Sequence, residues 1–466
     1  MRQFTAPVER QDLLFRREKI NSRVCVLPNT VKTIWPWLAF SLVAIGARCD
    51  AETPLILITN LPAYGSTSHL AGVALNANPA TNAVAVCIYV PGYGWVTKPT
   101  CAQPLTTIQT NGSWSASITT GGSDVDATRV AALLVSTNYS QSCVLGLANL
   151  PTNVYAQAIA KAVVTRPSPG VRFFSFSGYD WWVKNSAGPV GPGPNYFSDN
   201  TNNVWTDTNG WLHLRITHRS NGWQCAEIIS ARTFGEGSYR FELNSPADSL
   251  SPNVTLGLFT WSDDPAFANR EIDVECGRWN IAADTNNSQF VVQPYDAASH
   301  LVRYRVPAGL TNSTHLFVWE SNRVSFQCQT GAYAAAATNL ISSSVFTNAA
   351  DVPQGGDECV HLNLWLFQGN PPTDNTEAEV VIKSFNFIPL GTPPSAVLGN
   401  LASPAASQFK CDLIVQPDFR YEVQTSSNLL LWEHLTTLLA TSGTINLVDT
   451  SSPAAGTRFY RAVTQP

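Results

Sequence analysis

Glu271, Asp273 and Glu275 stand at i, i+2 and i+4 within residues 270–279, REIDVECGRW. Side chains alternate along an extended strand, so the three carboxylates share one face while Ile272 and Val274 point the other way. Acids this crowded cannot all ionise easily. At least one should keep its proton toward neutral pH, which suits a proton donor beside an ionised partner. The same pattern also fits an amphipathic strand with its acidic face in water. A cleft around the strand is what separates the two readings, so the neighbouring elements decide.

Those neighbours read as strands. From Val171 the chain runs through FFSFSGYDWWVK, a turn tract GPVGPGPNYF, and VWTDTNGWLHLRIT, where Thr208, Asn209 and Gly210 sit between two apolar runs as in a hairpin. WQCAEIISARTF, GEGSYRFELNS and VTLGLFTW precede the acidic stretch; FVVQPY, HLVRYRV, THLFVW, RVSFQC, HLNLWLF and EVVIKSFNFIPL follow it. So many short strands with almost no helical periodicity predict a large antiparallel double-sheet domain over residues 169–391. Residues 52–168 carry runs such as AVAVCIYV and AALLVSTNY broken by Gly, Asn and Pro, the signature of a small β-sandwich without a cluster of reactive groups. VVTRPSPG, residues 163–170, reads as a linker, and TPPSAVLGNLASPAAS, residues 392–407, as a second. Residues 408–466 predict a small C-terminal β accessory domain. The fold class expected is therefore all-β, a large sandwich flanked by two smaller ones.

Composition narrows the function. The 466 residues are 13% charged and 10% aromatic with a net charge of −5, which argues against a strongly basic nucleic-acid binder and against a disordered acidic chain. Residues 1–51 read as an N-terminal extension and signal peptide. The apolar run over residues 34–47 is too short for a comfortable membrane span and follows Lys32, as in a signal-peptide core. It lies behind about thirty residues rich in arginine, so translation starting near Val31 and cleavage after Ala51 are the matching expectations. Arg48 before Cys49 speaks against lipid attachment there. The mature chain is expected to be secreted or at the cell surface, without a stable membrane span. The ten cysteines form no C-x-x-C pair. Cys87, Cys101 and Cys143 can supply one disulfide in an exported chain, with the pairing open. His213, His218, His300, His315 and His361 are dispersed, with no spacing that suggests a metal site, and each reads as a structural or surface residue.

The middle domain resembles glycoside hydrolase family 16, the laminarinases and lichenases. EIDVE matches the family's E-x-D-x-E signature, and NNVWTDTNGWLHLRIT, AEIISARTFGEGSYRFEL, THLFVW and LNLW follow in the same order. The resemblance covers most of residues 171–391 and implies a β-jelly roll with a substrate cleft across its concave sheet. It implies Glu271 as nucleophile, Glu275 as general acid and then base, and Asp273 between them on a hydrogen bond to the nucleophile. Residues four apart on a strand lie about 13 Å apart at Cα, so carboxyls leaning inward can reach the ~5–5.5 Å separation of a retaining glycosidase. The raised carboxyl is assigned to Glu275. Trp365 and Asn363 resemble a sugar-contacting pair of lichenases. Trp261, Gln293, Tyr295, Asn195 and Tyr196 are further candidates, because sugar faces stack on aromatic rings and their hydroxyls bond amides. Trp261 is balanced between core and cleft, and Trp205, Trp211 and Trp319 read as core. Asn269 stands where many lichenase-type members carry Trp.

The function expected is an exported retaining endo-glycosidase hydrolysing a β-linked polysaccharide, β-1,3 or β-1,3-1,4 glucan first and galactan next. No metal or other cofactor is expected in the chemistry. A structural calcium is compatible with the resemblance, with no ligands assignable. The other reading is a non-catalytic carbohydrate-binding or cell-surface protein that keeps the jelly roll. Three crowded acids favour the enzyme, since a binder has no evident need of their mutual repulsion.

Overall fold

Strands dominate the computed structural model, which describes residues 54–140, 143–333, 339–390, 396–405, 408–415, 419–427, 431–440, 444–451 and 458–465. The apolar run, the start expected near Val31 and the cleavage expected after Ala51 lie outside the described residues. Among the described residues no helix is long and apolar enough to cross a membrane.

The central element is a 16-stranded sheet folded over itself. One half runs, in spatial order, Leu301–Tyr304, Ser288–Val292, Ile272–Cys276, Val254–Trp261, Cys359–Leu366 and Gly222–Ser230, every neighbour antiparallel. The hairpin from Leu212–Arg219 into Gly222–Ser230 carries the ladder into the second half, which continues through Ala378–Pro389, Gly237–Asn244, Asn312–Glu320, Arg323–Thr330 and Leu340–Phe346. The all-β double layer predicted from the strand pattern is thus present.

Alternation explains why the halves close on each other. Ile272, Val274 and Cys276 of the acid strand are fully buried, as are Leu256 and Leu258 beside them and Leu362 and Leu364 beyond. They share one core with Tyr239, Phe241, Phe317, Phe385 and Phe387 of the second half, where Tyr239 stacks on Phe317 with centroids 4.6 Å apart. Burying each such side chain contributes about 1.5–3 kcal/mol. Because the period is two, placing this set in the core forces the intervening residues onto the opposite, concave face.

Residues 54–165 form a three-stranded sheet, Leu55–Asn60, Leu70–Leu75 and Ser113–Ala116, facing a six-stranded sheet centred on Asn82–Val90 and Arg129–Ser136. Those two central strands are buried on both faces, with the short helix Thr152–Ala156 covering the far side. Cys101 and Cys143 are disulfide-bonded, their Cα atoms 5.1 Å apart, while Cys87 sits in the core and takes no part. The last strand of this sheet, Ala160–Thr165, also pairs with the middle domain: Thr165 N donates to Ala231 O at 2.7 Å and Thr233 N to Val163 O at 3.0 Å.

The C-terminal residues build two three-stranded sheets around Leu413, Tyr421, Val423 and Leu447. The stretch read as the linker 392–407 contains the strand Val397–Ala405, paired with Gln408–Ile414. Its Pro and Ser content resembles a linker, but it is an edge strand, where a residue without an N–H is tolerated.

Candidate active site

The register of the concave strands sorts their outward side chains into rows. Glu227, Asn363, Gly257, Glu275, Gln289 and Arg303 lie side by side across six strands. The next row holds His361, Phe259, Asp273 and Val291; beyond it Glu271 lies beside Gln293, whose N donates to Glu271 O at 3.1 Å. Glu271, Asp273 and Glu275 therefore climb one strand through three rows, at the floor of a cleft of about 910 Å³.

Each acid has its own partners. Asp273, 3% exposed, donates a hydrogen bond to Glu271 and accepts one from Gln293 Nε2 at 3.1 Å. Gln293 is oriented by its other end, where Oε1 accepts Tyr295 N at 2.8 Å. Glu275 Oε2 accepts from Gln289 Nε2 at 2.6 Å. Gln289 in turn accepts from Arg303 Nη1 at 3.2 Å, which forces its NH₂ toward Glu275. Arg303 is held by Asp284, by Asn286 O at 2.8 Å and over the Trp279 ring at 4.3 Å.

All three carboxyls are raised, so the effect is not confined to Glu275. Burial pushes Glu271 up to about 8, with the Glu275 charge adding to it and the hydrogen bond from Asp273 opposing. Burial pushes Glu275 up to about 7, against the Gln289 hydrogen bond and the Arg303 charge. Asp273 is held well above the usual carboxylate range by burial first and then by both glutamates. Asp273 is thus the resident proton holder of the row; its hydrogen bond opposes the rise of Glu271, which still stands above Glu275.

The binding candidates divide. Trp365, Asn363, Trp261, Gln293 and Tyr295 all line the cleft, Trp365 beyond Glu275 and Trp261 and Tyr295 beyond Glu271. Asn363 Oδ1 is buried with no protein partner. Asn195 and Tyr196 do not line it. Asn195 is 4% exposed and its amide donates to Pro192 O and Leu366 O, both at 2.8 Å, so it braces the loop behind the cleft. Tyr196 lies on the short strand that pairs with Gln224. Trp319 is buried as read, while Trp205 is half-buried and stacks on His213.

Several lining residues escaped the sequence reading. His361, read as structural or surface, faces the cleft; its Nδ1 lies 2.7 Å from Glu227 Oε1. Glu227 is 1% exposed and also accepts from Lys184 Nζ at 2.8 Å. Burial works to raise Glu227, but His361 and Lys184 outweigh it and keep the carboxylate ionised, so His361 Nδ1 carries the proton. Trp279 closes the quoted stretch REIDVECGRW and lines the cleft, a platform visible in the sequence but not read as one. Among the described residues no group of three or more His, Cys, Asp and Glu is placed to hold a metal ion, and the calcium expectation acquires no ligand set.

A left-handed turn introduces Glu271. Phe267, Ala268, Asn269 and Arg270 have φ of 53°, 49°, 64° and 53°. Such a conformation costs about 1–2 kcal/mol per ordinary residue and suits Asn better than most. A Trp at position 269 would gain nothing from that tolerance. Asn269 does: its Nδ2 donates to Ser262 O at 2.9 Å while Ser262 N donates to Asn269 O at 2.7 Å.

No family model matches the sequence, and no curated protein matches it. Solved structures do. A Bacillus licheniformis β-glucanase is 19% identical over 47% of this chain and 99% of that chain, with a TM-score of 0.35. A Bacteroides ovatus GH16 protein of a mixed-linkage glucan locus, in complex with its G4G4G3G product, is 13% identical over 47% and 97%, at 0.36. An immunostimulatory antigen and pseudo β-1,3-glucanase of Mycobacterium tuberculosis is 20% identical over 47% and 90%, at 0.34.

Proposed function

We propose that the chain is an exported retaining endo-glycosidase that hydrolyses a β-linked polysaccharide, β-1,3 or β-1,3-1,4 glucan first. The observation that carries this reading is the carboxylate row: two glutamates flank a proton-holding aspartate on one strand face, at the floor of an open cleft with aromatic rings at both ends. The Glu275 charge adds to the rise of Glu271, as expected of two acids that share one strand face and one cleft.

In this mechanism Glu271 attacks the anomeric carbon while Glu275 gives its proton to the departing glycosidic oxygen. The bond to the leaving sugar breaks as a glycosyl ester to Glu271 forms. Glu275, now ionised, takes a proton from water; the water oxygen attacks the same carbon, releasing Glu271 and restoring the Glu275 proton. Asp273 supports departure of the Glu271 carboxylate by donating to it. The apolar run over residues 34–47 and the Cys101–Cys143 disulfide support export, and mass spectrometry of the secreted protein should find its N-terminus near residue 52.

A reducing-sugar assay on laminarin, lichenan, agarose and carrageenan tests the activity. Wild type should release product from a glucan with the β anomer formed first by NMR, and Glu271→Ala should lose about 10³-fold or more in kcat. Binding without product on every substrate would replace this reading with the non-catalytic one.

A further inference from the structure

The N-terminal sandwich reaches the strained turn ahead of Glu271 through a buried chain of bonds. Arg129, on the central strand Arg129–Ser136, donates from Nη2 to Asp357 O at 3.0 Å and to Asp357 Oδ2 at 3.1 Å. Asp357 is 3% exposed, and its other oxygen, Oδ1, accepts from Ser262 Oγ at 2.6 Å. Ser262 is the residue locked to Asn269 by two hydrogen bonds, and Asp264 N donates back to Ser262 Oγ at 3.1 Å. Asp264 then pairs at 2.9 Å with Arg270, which is 1% exposed and whose Nε also donates to Gln354 O at 3.0 Å. The helix Thr152–Ala156 adds the Tyr155 ring, 6.0 Å from the Arg270 guanidinium. Gly356 makes room for that guanidinium, since a Cβ there would lie 2.4 Å from Arg270 Nε.

We infer that the N-terminal sandwich is a working part of the active site: Arg129, Asp357 and Ser262 are positioning residues that hold the left-handed turn Phe267–Arg270 and thereby set the nucleophile Glu271. A turn of four positive-φ residues is not self-supporting, and every fixing contact named above comes from the Ser262–Asp264 segment, from Gln354–Asp357, or from the N-terminal sandwich behind them. Glu271 is the next residue after the turn, so a shift there moves its carboxylate relative to Glu275 and the anomeric carbon. Most of the sugar-binding cleft lies on strands the turn does not touch, so substrate affinity should be spared. The inference rests on the glycosidase reading above.

Ser262→Ala breaks the link between Asp357 and the turn while leaving the Arg129–Asp357 pair intact, and Arg129→Met breaks the link to the N-terminal sandwich. Measured on the glucan that wild type cleaves, Ser262→Ala should lower kcat about tenfold, the scale of a sub-ångström misplacement, with KM within about twofold. Arg129→Met should lower kcat similarly, and Arg129→Lys, which keeps the charge but not the fork, should recover part of the loss. Unchanged kcat in folded Ser262→Ala, or a loss carried by KM alone, would overturn the inference, and this variant decides the matter if Arg129→Met does not fold. The parent reading fails separately, by absence of turnover in the wild type itself.

Discussion

At the residue scale, the row of acids converts burial into a working pH. Glu271 is pushed up to about 8 and Glu275 to about 7. On the glycosidase reading turnover needs Glu271 ionised and Glu275 protonated, the reverse of their order of ionisation, so the competent form is a minority of the row and kcat/KM should trace a bell with its maximum between about pH 7 and 8, the two limbs belonging to the coupled row. The sign of a substitution follows from the causes. The Glu275 charge raises Glu271, so Glu275→Gln should move the acid limb to lower pH and, by removing the proton donor, abolish the basic limb. An aryl glycoside with a good leaving group, which needs no proton to depart, is the substrate with which to measure it from pH 5 to 9. A basic limb that survives the substitution would take the donor role away from Glu275. The acids themselves were legible because their i, i+2, i+4 spacing is a local property of one strand. Asp273 as proton holder was not, since that depends on a burial that no spacing reports and that outweighs the opposing hydrogen bond from Gln293.

At the element scale, the same limit explains what was missed. EIDVE shows its outward residues by alternation, whereas Trp365 and Asn363 were reached only through the resemblance of LNLW to a lichenase strand. The row linking Glu275 to Gln289 and Arg303 joins three strands, and its register is set by pairing that a single sequence does not display. The left-handed turn over Phe267–Arg270 carried no signal either, because it contains no glycine and takes its support from distant segments. Gly257 shows how closely the strands of the cleft floor are fitted. It stands between Glu275 and Asn363 in the first row, and a Cβ there would lie 2.5 Å from Asn363 Oδ1 and 3.3 Å from the Phe259 ring. Gly257→Ala should displace the Asn363 amide into the cleft, raising KM about tenfold, which corresponds to ~1.4 kcal/mol of binding, with a smaller change in kcat. Steady-state kinetics on the cleaved glucan measure this, and an unchanged KM would mean that Asn363 does not contact the sugar.

At the scale of the whole molecule, the strand pattern announced a large sandwich with smaller ones beside it, but the joints between them could not be read. VVTRPSPG suggested a tether, yet Val163 and Thr165 hydrogen-bond to Ala231 and Thr233, and Arg129 enters the middle domain to meet Asp357. An ion pair with one carboxylate 3% exposed is costly to break, because removing one partner leaves a buried charge uncompensated, about 3–5 kcal/mol. Separating residues 54–165 from residues 169–390 would strip Asp357 of Arg129 and Arg270 of the Tyr155 ring. The two bodies should therefore unfold as one cooperative unit, whereas the C-terminal sheets, with their own core around Tyr421 and Leu413, can melt independently. Differential scanning calorimetry of the full chain should show one large transition and one small one. Arg129→Met should lower the large transition by several degrees and leave the small one in place. A third transition in the wild type, belonging to the N-terminal sandwich, would show that it is tethered and not built in.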